Sequence, residues 1–188
     1  MQHDDLKRQG KWGLIQVYTG NGKGKTTAAL GTALRAASVG KHVAIVAFDK
    51  GGEHYSERDI IRLRIPEIEF FPTGCDRIDP VTGTFRFGVT GEDRREGERA
   101  LSIVKTLFAE AGHDMVVLDE VNSSAALGIV NEADVLALLD AKPSHVELVL
   151  TGRNAPPSFI GRADLVSDVM LVNHYFYRGE NAREGIDY

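Results

Sequence analysis

The sequence predicts an α/β fold built on an open, mainly parallel sheet with helices on both faces. Three observations carry that expectation. Short Val/Ile-rich runs alternate with longer stretches of helical composition, the signature of βαβ units. Residues 43–48 (VAIVAF) are apolar without a break, as a strand covered on both sides requires. Residues 19–27 (TGNGKGKTT) lie between an apolar run and a helical pattern, so a glycine-rich turn joins a strand to a helix.

The elements follow in order. Residues 14–18 form the first strand, and the first helix runs over 25–39 and stops at Gly40, a natural C′ residue. After the strand at 43–48, residues 57–63 read as a helix that ends before Pro66, and 68–71 as a short strand. Residues 72–89 show no periodicity and carry several glycines and prolines, which suits a lid, a binding loop or a disordered piece. A long helix then spans 90–111, with Ala100, Ile103, Val104, Leu107 and Phe108 at the spacing of a core-facing stripe. Residues 115–120 (MVVLDE) are a strand ending in two acids, 131–141 a helix capped by Asn131, and 146–150 the next strand. The last strand is expected at 165–172, before a tail rich in glycine, asparagine and charge. No repeat or low-complexity segment interrupts the pattern.

Composition narrows the class. The 188 residues suit one domain over 1–188, with 1–12 a flexible N-terminal arm. A net charge of −5 argues against general affinity for nucleic acid. A single cysteine, Cys75, excludes an internal disulfide and a four-thiolate metal site, and fits a reducing compartment. The first eight residues lack the apolar core of a secretory signal, and no apolar run approaches the ~20 residues that span a bilayer. A cytoplasmic protein with no membrane partner is the expectation. His42, His54, His113, His145 and His174 have no metal-ligand spacing.

The chemistry starts at the glycine turn. Gly20, Gly22 and Gly24 let successive N–H groups face one anion, the helix N-terminus adds partial positive charge and Lys25 a full one. Thr26 brings a hydroxyl to the usual magnesium position. Binding of a nucleoside triphosphate is therefore expected, in a P-loop NTPase-like (RecA-like) domain. The usual pattern would put a first glycine at 19, where Thr19 stands; starting from Gly20 the interval is one residue shorter. Asp119 and Glu120 suit the carboxylates beside a metal opposite such a loop. The loop, Asp119-Glu120 and Thr151-Gly152-Arg153 all fall at the carboxyl edge of the sheet, and His54-Tyr55 after Gly51-Gly52 can line the same cleft.

Several separated segments resemble the ATP:corrinoid adenosyltransferases of cobalamin biosynthesis and salvage. They are IQVYTGNGKGKTTAA at 15–29, VVLDE at 116–120, LTGRNAPP at 150–157, ADLV at 163–166 and GIDY at 185–188, the shortened loop and the last segment being the most specific. The resemblance implies an enzyme, an alkyl-group transferase, in which a cob(I) corrinoid attacks the 5′ carbon of ATP and expels triphosphate. Cobalt(I) is itself the nucleophile, so no Ser-His-Asp set or general base is required; alignment and charge stabilisation remain. The family holds ATP in the reverse of the usual direction. Carried to matching positions, Gly20, Asn21, Gly22, Lys23, Gly24, Lys25 and Thr27 cradle the triphosphate. Thr26 and Glu120 act around Mg²⁺ with Asp119 nearby, and Arg35, Arg153 and Asn154 contact the nucleotide. His174 matches a family histidine at the corrinoid or the cleft. Better-known members carry a Phe-x-Trp pair that displaces the lower cobalt ligand. The only tryptophan here is Trp12, and Phe85-Arg86-Phe87 is the nearest substitute. The resemblance also implies a homodimer and an electron-donating reductase. A P-loop ATPase or kinase, or a nonenzymatic carrier of ATP or adenosylcorrinoid, are the competing readings.

Overall fold

A computed structural model describes residues 11–52, 55–77, 81, 84 and 86–187. The expected arm at 1–12 thus falls almost wholly outside the described residues, as do His54, Phe85 and Tyr188. Six strands, β1 (Ile15–Thr19), β2 (Val43–Ala47), β3 (Ile68–Pro72), β4 (Met115–Asp119), β5 (Glu147–Thr151) and β6 (Leu165–Asp168), form one sheet in the order β3-β2-β4-β5-β1-β6. Every neighbouring pair is parallel. The predicted fold class holds.

Alternation along the strands divides the core in two. Val43 and Ile45 of β2 face one layer with Met115, Val117 and Val149. Ala44 and Val46 face the other with Val116, Leu118, Leu148 and Leu150. The first layer is closed by α1 (Lys25–Ala37) and α2 (Glu57–Arg64), the second by α3 (Gly91–Glu110) and α5 (Glu132–Ala141). The helix α1 buries Ala29, Ala33, Ala36 and Ala37, a stripe of small side chains that lets its backbone lie close to the sheet. Full burial of one Val or Leu contributes about 1.5–3 kcal/mol, so the apolar strands account for the sheet's persistence at this position.

The long helix starts as its sequence suggests. The Thr90 hydroxyl accepts from Asp93 N, and the Asp93 carboxylate accepts from Thr90 N at 2.7 Å, a reciprocal capping box. Asp93 also takes a two-pronged bond from Arg86 at 2.7 and 3.0 Å, which pins the irregular 72–89 segment to the helix start. Arg77 in the same segment reaches Asp49, at 2.8 Å. Burial, followed by Asp93, pushes the Cys75 thiol up to about 11 and keeps it protonated.

Three short elements had no periodicity to announce them: α4 (Val121–Ala126), α6 (Pro157–Ile160) and the 3-10 turn Tyr175–Arg178. The last strand is shorter than the expected 165–172. After Asp168, Val169 turns toward residues 20–22, and its carbonyl accepts from Gly22 N at 2.7 Å. Among the described residues no helix is long and apolar enough to cross a membrane.

Candidate functional site

Residues 20–24 connect β1 to α1 and run against the chain leaving β6. Gly20 has φ of 94°, and a Cβ there would stand 2.1 Å from Asp168 Oδ1 and 2.5 Å from Val169 O. Conformation and space both demand glycine. A Cβ on Gly22 would stand 2.6 Å from Met170 O. At Gly24, φ is 118° but the space is open.

Lys25 opens α1 with its side chain folded back on the loop, where Nζ donates to Gly20 O at 2.8 Å and Gly22 O at 2.7 Å. Burial lowers its pKa; Glu120 opposes that, and Arg153 and Lys50 push in the same direction as burial. An anion in the loop would relieve the desolvated, mutually repelling cations.

Asp119, at the tip of β4, knots four elements together. Its Oδ1 accepts from Thr26 Oγ1 at 3.0 Å and Thr151 Oγ1 at 2.5 Å, and its Oδ2 accepts from Lys50 Nζ at 2.5 Å. Lys50 Nζ also donates to Thr26 Oγ1 at 3.0 Å. Burial works against the Lys50 charge, but the carboxylates of Asp119 and Glu120 overcome it and raise the pKa. Glu120 turns the chain with φ of 63°, a left-handed conformation that costs a non-glycine residue about 1–3 kcal/mol. That turn separates the two acids. Asp119 stays buried under the sheet edge, while Glu120 lines the cleft and accepts from the Ser123 hydroxyl. Close by, Asn122 Nδ2 donates to Tyr18 O at 3.3 Å and Gly152 O at 3.4 Å.

Above these groups opens a cleft of ≈ 710 Å³, within the range of small-molecule sites. The sequence-predicted residues Gly22, Lys23, Gly24, Lys25, Thr26, Thr27, Glu120, Arg153 and His174 all line it, and Gly20 and Asn21 complete the loop. Tyr55 lines it too; burial raises its phenol pKa. The far wall is the C-terminal segment. Lys23 donates to Ile186 O and the Asp187 carboxylate, which also accepts from the Tyr175 hydroxyl and, at 3.0 Å, from Arg183 N. His174 Nδ1 accepts from Phe176 N at 3.1 Å and caps the 3-10 turn.

Other expected residues are not brought here. Arg35 occupies the last turn of α1 and lines a separate hollow of ≈ 400 Å³ with Trp12, Gln16 and Glu147. Asn154 is exposed, with φ of 53°, and Phe87 is exposed as well; neither lines the cleft. Phe85 lies outside the described residues. Sequence reasoning missed Lys50, although the same cue that singled out Asp119, a charge just past an apolar strand, was available for it. It also missed the tail side chains Tyr175 and Phe176, which no motif marks.

Thr26 and Asp119 bring together hard oxygen donors of the kind Mg²⁺ prefers, and Glu120 adds a carboxylate on the cleft wall. Thr26 Oγ1 and Asp119 Oδ2 already converge on one cation, the Lys50 ammonium. Among the described residues no group of three or more His, Cys, Asp or Glu side chains forms a cage, and Mg²⁺ beside a nucleotide draws its remaining ligands from phosphate and water.

The sequence model of the family described as ATP:corrinoid adenosyltransferase BtuR/CobO/CobP matches residues 11–188. The corrinoid adenosyltransferase CobA of Salmonella typhimurium is 37% identical over 180 residues, covering 94% of this chain and 86% of that protein. A corrinoid adenosyltransferase of Escherichia coli is 35% identical over 180 residues, with 96% and 88% covered. One from Pseudomonas aeruginosa is 32% identical over 176 residues, with 94% and 84% covered.

Proposed function

The chain belongs to the ATP:corrinoid adenosyltransferase family, and we propose that the cleft beside residues 20–27 is where it performs that family's transfer. The 5′-deoxyadenosyl group of ATP passes to the cobalt of a reduced cob(I) corrinoid, and triphosphate leaves. The electron pair of cobalt(I) forms the Co–C5′ bond, and the C5′–O bond breaks with its pair on the triphosphate. The observation that carries this reading is the gathering of Lys25, Lys50 and Arg153 on the wall of one cleft with the glycine loop. Lys50 is paired with Asp119, and a polyanion would answer the positive charge that Lys25 and Arg153 add to the cleft.

Each residue then has a physical task. The loop N–H groups and Lys25 hold the triphosphate and stabilise the charge that grows on it as the bond breaks. Thr26, Asp119 and Glu120 would hold Mg²⁺, which supplies further neutralising charge when bound. Arg153, at the cleft wall, contacts the nucleotide. No side chain abstracts a proton, because the nucleophile carries none. His174, Tyr175 and Phe176 face the same space from the tail and flank the transferred nucleoside. In this reading the protein works in the cytoplasm as a homodimer, on a corrinoid that a reductase has brought to cobalt(I).

Anaerobic incubation with reduced corrinoid, ATP and Mg²⁺ tests it. A light-sensitive cobalt–carbon species and stoichiometric triphosphate are expected. Orthophosphate released without corrinoid would replace the reading with an ATPase, and tight ATP binding with no product at all would make the protein a carrier.

A further inference from the structure

Lys50 takes no part in the sequence motifs, yet it holds the centre of the site. Its backbone is fixed on both sides: N donates to Thr73 O at 3.0 Å, and O accepts from Arg58 Nη2 at 2.6 Å. Gly51 beside it is so close to Gly74 and Cys75 that a Cβ would stand 2.3 Å from their backbone. Only the side chain can move. That side chain is 13% exposed and spans from buried Asp119 to the cleft.

The lone pairs of Asp119 are nearly all committed. Oδ1 accepts from both threonine hydroxyls, which leaves Oδ2, and Oδ2 is taken by Lys50 at 2.5 Å. Thr26 Oγ1 donates its proton to Asp119 and offers its oxygen to Lys50 at 3.0 Å. A divalent ion beside Thr26 and Asp119 needs the same two oxygens at a shorter distance. It also cannot tolerate an ammonium in contact with it.

We propose that the Lys50 ammonium occupies the metal seat of the triphosphate site, yields it to the divalent ion when nucleotide enters, and moves onto the triphosphate. The exchange needs rotation about side-chain bonds alone. The seat keeps a cation at every stage, so Asp119 is never buried unpaired. The displaced ammonium becomes a further positive group at the leaving triphosphate. This rests on the reading of the cleft as an ATP site.

Mn²⁺ binding to the full chain without nucleotide, followed by the loss of the free-ion EPR signal, tests the seat. Lys50→Met is expected to bind Mn²⁺ about tenfold more tightly than wild type, the scale of competition between two ligands for one place. Arg153→Met, which removes an equal charge from the cleft but none from the seat, is expected to stay close to wild type. Unchanged or weaker Mn²⁺ binding in Lys50→Met would overturn the proposal, and so would equal tightening in Arg153→Met. With Mg²⁺ saturating, Lys50→Met is expected to bind ATP about tenfold more weakly, and equal affinity would overturn the transfer to triphosphate. Wild-type protein supplies a reading independent of any variant's folding. Acetylation of Lys50, followed by mass spectrometry, is expected to quicken with millimolar Mn²⁺ and slow again with Mg²⁺ and ATP. A rate indifferent to both sinks the exchange. None of these measurements involves corrinoid, so their failure leaves the adenosyl transfer standing, and failure of that transfer leaves them standing.

Discussion

Lys23 and Asp187, 164 residues apart in the chain, meet as an ion pair at the cleft. Lys23 also binds Ile186 O, and the hydrogen bonds from Lys23 and Tyr175, with those of Arg183, hold the Asp187 carboxyl well below its usual range. The glycine loop and the tail are thereby one mechanical unit. Asp187→Asn should release the tail and raise KM for ATP by about threefold to tenfold, with kcat less affected. Steady-state kinetics at fixed corrinoid would show it; an unaltered KM would mean the tail holds its place without the pair.

Lys25→Ala removes the side chain that ties Gly20 and Gly22 together and that, in the proposed reading, meets the triphosphate. ATP-dependent turnover should fall by about two orders of magnitude or more, the scale of a lost transition-state contact. Far-UV circular dichroism should be unchanged, since Lys25 supports no core residue. Undiminished activity would refute the role given to the loop.

Gly20 and Gly24 offer a matched contrast. Both have positive φ, but only at Gly20 would a Cβ also collide with neighbours, at 2.1 Å. Gly24→Ala should lower the melting temperature by about 2–4 °C, the effect of roughly 1 kcal/mol in a chain of this size. Gly20→Ala should lower it by at least twice as much. Equal shifts would show that residues 168–170 yield freely.

Asp93 sets a pH dependence. Its bonds from Arg86 hold the carboxyl well below the ordinary 3.8; burial opposes them, and bonds from Thr90 add to them. A depressed folded pKa means the unfolded chain binds the proton more readily, so the contribution is full above 3.8 and fades as pH falls below that value. Asp93→Asn should therefore lower the melting temperature at pH 7, by about 2–6 °C, and have progressively less effect as pH falls toward 2. Differential scanning calorimetry across that range would test the trend; a deficit that persists at pH 2 would assign it to lost packing instead.

The sheet and half of the site could be read from the sequence because their signals are local. Unbroken apolar runs marked β2 and β4, a run interrupted only by Glu147 marked β5, glycines marked the loop, and two acids at a strand end marked Asp119 and Glu120. Lys50 carried a local cue as well, a charge just past an apolar strand, but the cue alone did not give its role. Its meaning depends on β2 lying beside β4 with Ala47 opposite Asp119, a register that no local pattern states. Arg35 stands away from the cleft for a geometric reason. Ten residues beyond Lys25 at 1.5 Å each place it roughly 15 Å along α1, at the other end of the helix. In the tail wall, Tyr175 and Phe176 were hidden because their short turn has no period to recognise. The divergence of Asp119 and Glu120 depends on a backbone twist that composition does not encode.

The strand order also bears on the timing of synthesis. β1 and its loop are made early, yet the strands on either side of β1 are β5 and β6, more than a hundred residues later. The acceptor for Gly22 N is the carbonyl of Val169. On the ribosome, β2, β3 and β4 can pair while β1 waits without neighbours, and the loop gains its shape only after residues 165–170 have emerged. A nascent chain can therefore hold much of its sheet before residues 20–24 gain their partner strand, so the proposed nucleotide cleft is completed only late in synthesis.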